Sequence, residues 1–221
     1  MERIVTLTED GSSTIFNSSL NQHYHSIHGA IQESKHVFMK MGWEQKSETK
    51  DISILEIGFG TGLNAFLVLL ECMNGAKRNV SYTTLEAFPL EEEFTKLNYA
   101  SELNVAGQQN KFLSLHHGAW EVPVAIESGF TLFKKKIKLE DYFPEKNSFD
   151  LIFFDAFSPE AQPELWTEEI FRKLFEAMQP AGILVTYCAK GQVRRNLIAA
   201  GFSVERLEGP LGKREMLRGR K

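Results

Sequence analysis

The stretch "LEIGFGTGLNAFL", residues 55–67, decides the fold. An apolar run from Ile52 to Ile57 enters a glycine cluster at Gly58, Gly60 and Gly62. Leu63, Phe66, Leu67 and Leu70 then recur at helical spacing. Strand, tight turn and helix in that order hold a nucleotide-like ligand, because a glycine backbone can pass close to it. The spacing narrows the ligand. A dinucleotide fingerprint needs a third glycine where Leu63 stands, and a phosphate loop needs Lys and Ser/Thr where the chain has Leu63 and Asn64. Glycines one residue apart suit a smaller ligand, such as a nucleoside with an amino-acid tail. Glu86 follows the end of the next predicted strand, "VSYTTL", and can accept both ribose hydroxyls. Glu56, just before the loop, either supports it or faces the ligand's ammonium group.

Working outward, strands alternate with helices. The pattern predicts strands over 52–57 and 80–85, a helix near 62–73 and another starting at "PLEEEF". "FLSLHHGAW" and "FTLFKKKIKL" read as strands, a hairpin insertion. "FDLIFFDAF" is a buried strand ending at an acid. A helix over roughly 167–178, the strand "AGILVTY" and the helix "QVRRNLIAAG", closed by Gly201, follow. "FSVERLE" and "REMLRG" form a closing strand pair. Residues 1–50 are polar and mixed, with a turn at "DGSS" and a helix over "GAIQESKHVFMKM". This is an α/β fold, Rossmann-like, with a doubly wound, mostly parallel sheet and an antiparallel C-terminal strand. Its ligands bind beyond the carboxyl ends of the strands. The chain is expected to be one domain over 1–221, with 1–50 a substrate-side extension and 51–221 the core.

Composition sets the outer limits. The hydrophobic fraction of 43% and charged fraction of 24% are those of a globular protein. No apolar run reaches the ~20 residues that span a bilayer, and "MERIVTLTEDGSS" has no signal-peptide core. Cys72 and Cys188 lie in no metal-like spacing, so reduced thiols in the cytoplasm are expected. His23, His25 and His28 lack a completing Cys or acid, so no metal is expected. The net charge of −4 is uneven, with nine basic and three acidic residues from Lys190 onward. A basic patch on an acidic body suits a polyanion gripped at one place, or is a solvated surface. "KKKIK" likewise reads as a solvated strand face or a nucleic-acid contact.

The second motif is "FDLIFFDAFSPEAQPELWTEEIF". Its strand delivers Asp155 to the rim of the sheet. Asp155, Phe157, Pro159, Pro163 and Trp166 resemble the D-x-F-x-P…P-x-x-W block of the tRNA (5-methylaminomethyl-2-thiouridine) methyltransferase family. That family forms the methyltransferase half of a bifunctional wobble-uridine enzyme and also occurs alone. "GFGTGLN", "LEAFPL", "QVRRNLIAAGF" and "GPLGKREM" resemble its other blocks. In "HYHSIHGAIQESKHVF" the matching positions are Tyr24, Ser26, Gly29, Glu33, Val37 and Phe38. The blocks run in order over nearly the whole chain.

The resemblance implies S-adenosylmethionine as cofactor, held by Glu56, Gly58, Gly60, Gly62, Asn64 and Glu86. Many relatives bind adenine through an acid at the position where this chain reads "KKKIKLEDYF", which leaves Glu140 or Asp141 for the role. It implies methyl transfer to the primary amine of 5-aminomethyl-(2-thio)uridine in a tRNA anticodon stem-loop. Asp155 would orient the amine and Phe157 would stack on the flipped base. Tyr24, Ser26, Glu33, Pro159 and Trp166 fall on the substrate side, Trp166 with a second reading as core. Arg194, Arg195, Lys213 and Arg214 would meet phosphates. The family's flavin domain has no counterpart in 221 residues, so no flavin and only methyl transfer is expected. Two other readings compete: a transferase acting on a small amine, and a non-catalytic module retaining the fold.

Overall fold

The computed structural model describes residues 2–75 and 78–221. The chain opens with a small antiparallel sheet of β1 (Arg3–Leu7), β2 (Ser13–Asn17) and β3 (Gln22–His23). Helix α1 (Ala30–Ser34) continues directly into a π-helical segment, Lys35–Lys40. Then come β4 (Asp51–Ile57), α2 (Leu63–Met73), β5 (Asn79–Leu85), α3 (Tyr99–Glu102) and α4 (Gln109–His117). They are followed by β6 (Pro123–Glu127), β7 (Phe130–Lys135), β8 (Phe149–Phe154), α5 (Glu168–Ala177) and β9 (Met178–Thr186). Helix α6 (Gly191–Ala199) and strands β10 (Ser203–Glu208) and β11 (Glu215–Arg220) complete the chain.

The main sheet has the order β10-β11-β9-β8-β4-β5-β7-β6. Its five central strands, β9, β8, β4, β5 and β7, run parallel, and antiparallel strands close both margins. From β4 the chain moves outward to β5 and β7, then returns to place β8 on the other side of β4. The carboxyl ends of β4 and β8 therefore flank a crevice where the strand order reverses.

Strand β8 shows why its sequence is continuously apolar. Leu151 and Phe153 pack into the core beneath α2, while Ile152 and Phe154 pack into the core beneath α5 and α6. A strand buried on both faces has no polar alternation.

Four elements differ from expectation. The N-terminal sheet lies within residues read as polar and mixed; its strands are too short for alternation to register. "FLSLHHGAW" is mostly helix α4, because Phe112 and Leu115, three apart, are both fully buried on one helical face. "PLEEEF" yields only a 3₁₀ turn at Glu93–Lys96. There the Glu93 carboxylate accepts from the backbone of Glu91 and Glu92, which favours a turn over a helix start. "FTLFKK" forms β7, a parallel neighbour of β5 inside the sheet rather than part of an inserted hairpin, with β6 on its outer side.

Candidate active site

The glycine loop begins where β4 ends. Gly58 has φ +90°, and a Cβ there would stand 2.7 Å from the backbone oxygen of Asp155. The Asp155 amide donates to Ile57 O at 3.0 Å, so the ends of β4 and β8 meet backbone to backbone. Gly60, at φ +47°, leaves its Cβ position 3.0 Å from the Tyr24 ring. A side chain at either position would press on the crevice wall, against the Asp155 backbone or the Tyr24 ring.

A cavity of 360 Å³ occupies that crevice, within the range of small-molecule sites. Tyr24, Gly58, Gly60, Asn64, Glu86, Glu140, Asp155 and Phe157 line it. Glu86 Oε2 accepts from the Gly60 amide at 3.0 Å and Oε1 accepts from the Phe88 amide at 2.9 Å. A carboxylate so held keeps lone pairs for ribose hydroxyls. Of the two acids offered for adenine, Glu140 reaches the cavity wall, and Asp141 is absent from it. Gly62, expected at the cofactor, is turned away from the cavity with its Cβ position 2.9 Å from His116 Nε2. Glu56 is 1% exposed and also stands outside the wall, accepting from Thr84 Oγ1 at 2.8 Å. Its place is beneath the loop.

Asp155 is the acid at the centre. Asn64 Nδ2 donates to its Oδ2 at 2.8 Å. Burial pushes its carboxyl up to about 7, the nearby charge of Glu33 adds to the rise, and the Asn64 hydrogen bond opposes it. The Phe157 ring meets Tyr24 edge-on, with centroids 4.9 Å apart. Burial and the Glu86 charge push the Tyr24 hydroxyl up to about 12, so it stays a neutral donor.

Behind Asp155 lies a charge pair. Glu33 is 5% exposed; its Oε1 accepts from Lys213 Nζ at 2.5 Å and its Oε2 from the Ser26 amide at 2.8 Å. The Lys213 ammonium also lies 3.8 Å from the Tyr187 ring centre, and the Tyr187 hydroxyl donates to Ala156 O. Lys213 is thus turned inward, not toward a solvent-side phosphate. Trp166 is core: 3% exposed, packed edge-on against Phe154, its indole N–H donating to Phe157 O at 2.9 Å. It supports the motif from behind and does not line the cavity. Pro159 is partly buried. Arg195 and Arg214 are exposed, Arg195 donating to Gln192, while Arg194 is half-buried.

Sequence reasoning missed the cover over the cavity. Arg3 donates to the carbonyls of Pro89 and Phe88 at 3.0 and 2.5 Å, and pairs with Glu93. Gln22 Nε2 donates to Ser158 Oγ at 2.6 Å and Gln22 Oε1 accepts from the Ser158 amide. The N-terminal sheet is thereby tied to both rims. His25 also lines the cavity, with Nε2 2.7 Å from Thr61 Oγ1. Burial pushes it down to about 4, so it is neutral at physiological pH. Nothing in its spacing with His23 and His28 points to the loop. Lys134 in "KKKIK" is 1% exposed, donates to His116 O and lies 4.6 Å from the Trp120 ring centre. Among the described residues no group of three His, Cys, Asp or Glu could hold a metal ion, and no helix is long and apolar enough to cross a membrane.

The residues fit the cofactor that the loop implies: two glycines open a cradle whose wall a Cβ would crowd, and a fixed carboxylate closes one end. Comparisons with known proteins agree. A family model described as S-adenosyl-L-methionine-dependent methyltransferase matches residues 106–221, just over half of the chain. The chain is 28% identical over 94% of its length to the tRNA 5-methylaminomethyl-2-thiouridine biosynthesis bifunctional protein MnmC of Aeromonas hydrophila. It is 29% identical over 98% of its length to that of Actinobacillus pleuropneumoniae. It covers 34% and 35% of those proteins, about a third of each. The crystal structure of MNMC2 from Aquifex aeolicus superposes with a TM-score of 0.75 at 25% identity, covering 99% of this chain and 70% of that one. Spermidine synthase from Thermotoga maritima shares the fold, with a TM-score of 0.54 at 14% identity, over 98% of this chain and 71% of its own. With this cradle at the switch point of its sheet, the chain belongs to the S-adenosyl-L-methionine-dependent methyltransferase family.

Proposed function

We propose that this protein methylates the primary amine of 5-aminomethyl-(2-thio)uridine at the wobble position of tRNA, giving the 5-methylaminomethyl product. One observation carries the reading. Asp155, a half-buried acid, opens into the cavity beside an aromatic pair, Tyr24 and Phe157. A carboxyl to meet an amine and rings to stack on a base are what an unstacked aminomethyl-uridine requires. The names of the bifunctional relatives, which speak of tRNA 5-methylaminomethyl-2-thiouridine biosynthesis, support the same substrate.

S-adenosylmethionine supplies a methyl group already activated on a sulfonium. The chain's own task is then alignment and charge. Gly58 and Gly60 provide the backbone bed, Glu86 meets the ribose and Glu140 the adenine amine. Asp155, held by Asn64, accepts an N–H of the substrate amine and directs its lone pair toward the methyl group. As the nitrogen gains charge, the Asp155 carboxylate stabilises it. The Glu33–Lys213 pair and Ser26 brace the rim behind it. Exposed Arg195 and Arg214, with Arg194, offer cations to anticodon-stem phosphates. A cytoplasmic setting accords with Cys72 and Cys188, which are unpaired.

The test is methyl transfer from labelled S-adenosylmethionine to tRNA from cells lacking the protein, followed by nucleoside analysis. Label in 5-methylaminomethyl-(2-thio)uridine, lost in Asp155→Ala, is the expected result. Cofactor binding without tRNA labelling overturns the substrate and turns the search to small amines.

A further inference from the structure

We infer that Glu56 works as a neutral carboxylic acid which, through Asn64, positions Asp155 and leaves it the only negative charge on the bridge between them. This rests on Asp155 being the group that meets the substrate amine. Glu56 and Asp155 end neighbouring strands, β4 and β8, and the Asn64 side chain at the start of α2 lies between their carboxyls. One side of that amide donates to Asp155 Oδ2 at 2.8 Å, and it also lies within hydrogen-bonding reach of Glu56. The Asp155 bond fixes one side of the amide, while the buried Asn64 Oδ1 has no hydrogen-bond partner of good geometry among the described residues.

The surroundings of Glu56 decide its charge. Thr84 and Tyr82 face it from β5, Asn64 from α2 and the Asp155 carboxyl from beyond β8. No cation is among them. A carboxyl buried this deeply without a cation is held neutral, and a second negative charge nearby reinforces that. The Tyr82 hydroxyl opposes this, since it is buried without a hydrogen-bond partner of good geometry among the described residues and its O–H can donate to an ionised Glu56 as well as to a neutral one; burial without a cation outweighs it. Burial accordingly pushes Glu56 up to about 8. Were Glu56 ionised, its charge would oppose ionisation of Asp155 and weaken Asp155 as an acceptor for the amine.

The neutral acid can be mimicked. Glu56→Gln keeps the shape, an acceptor for Thr84 and Asn64 and a donor toward Tyr82, while Glu56→Leu keeps none of these. Glu56→Gln is expected to keep kcat within about threefold of the parent. Glu56→Leu is expected to lose about tenfold to a hundredfold in kcat, with a smaller change in cofactor affinity. The infrared difference spectrum of parent minus Glu56→Gln, recorded without substrate near neutral pH, should show a protonated-carboxyl stretch. The parent should also lose thermal stability relative to Glu56→Gln as pH rises from about 4.5 to about 8, because the unfolded chain gives up this proton while the fold retains it, and the loss should level off above about 8. A carboxylate band instead, or a Glu56→Gln enzyme as slow as Glu56→Leu, overturns the inference. If Glu56→Leu fails to fold, the Gln variant and the infrared band still decide. If the parent does not methylate tRNA at all, the proposed substrate falls, while the infrared and pH-melting results still test the state of Glu56.

Discussion

The α-carbon of Gly58 lies against the backbone carbonyl of Asp155, so closely that a Cβ would approach that oxygen to 2.7 Å. The cofactor loop and the acceptor motif therefore share one backbone contact. Gly58→Ala must strain a φ of +90° and push Asp155 away. It should cost about 1–3 kcal/mol in urea unfolding and weaken cofactor binding in calorimetry as well as slowing turnover. Full affinity with intact stability would show that the contact is not tight.

Asp155→Asn separates catalysis from stability. Methyl transfer should fall by about 10²–10⁴. The raised carboxyl contributes stability in full below the ordinary carboxylate range and loses it as pH rises through about 7. The variant should therefore gain on the parent in melting temperature between about pH 4 and pH 8. Parallel melting curves across that window would refute the burial of the charge.

Lys213→Met leaves Glu33 buried without its cation. A buried pair broken on one side costs about 3–5 kcal/mol, and the part exposure of Lys213 reduces this to about 1–3 kcal/mol. Loss of the cation also raises Asp155 further, so the acidic limb of kcat/KM should move to higher pH. Glu33→Gln removes the opposing negative charge and should move the same limb to lower pH. Shifts of equal sign in the two variants would rule out this electrostatic arrangement.

Lys134 gives a test away from the chemistry. Burial pushes its ammonium down to about 8 from 10.5. A depressed lysine contributes stability above its unfolded value and loses it as pH falls through the folded one. The parent should therefore gain on Lys134→Met in thermal unfolding as pH climbs from about 7 to 10. A difference independent of pH would mean that the lysine is solvated.

Much of the core was legible because its signals are local. The run from Ile52 to Leu70 carries strand, turn and helix in contiguous residues, and "FDLIFF" must be buried on both faces. Asp155 was legible from its place at the end of that strand. What escaped depends on partners distant in the chain. Arg3 and Gln22 look like surface residues until Phe88, Pro89 and Ser158 are brought to them. Lys213 and Lys134 read as solvent-facing charges, yet Glu33, Tyr187, His116 and Trp120 accept them inside. Trp166 carried two readings in the sequence, substrate side and core; its N–H reaches the Phe157 carbonyl from the core side.

The strap formed by the N-terminal sheet, with Arg3 fastened at one rim and Gln22 at the other, would give cofactor exchange a clock of its own if the spent nucleoside left only after one fastening had opened. The first methyl transfer of a freshly loaded molecule would then outrun those that follow. The demethylated cofactor would inhibit by outstaying its turn, and a cell that clears it slowly would throttle this step without any dedicated regulator.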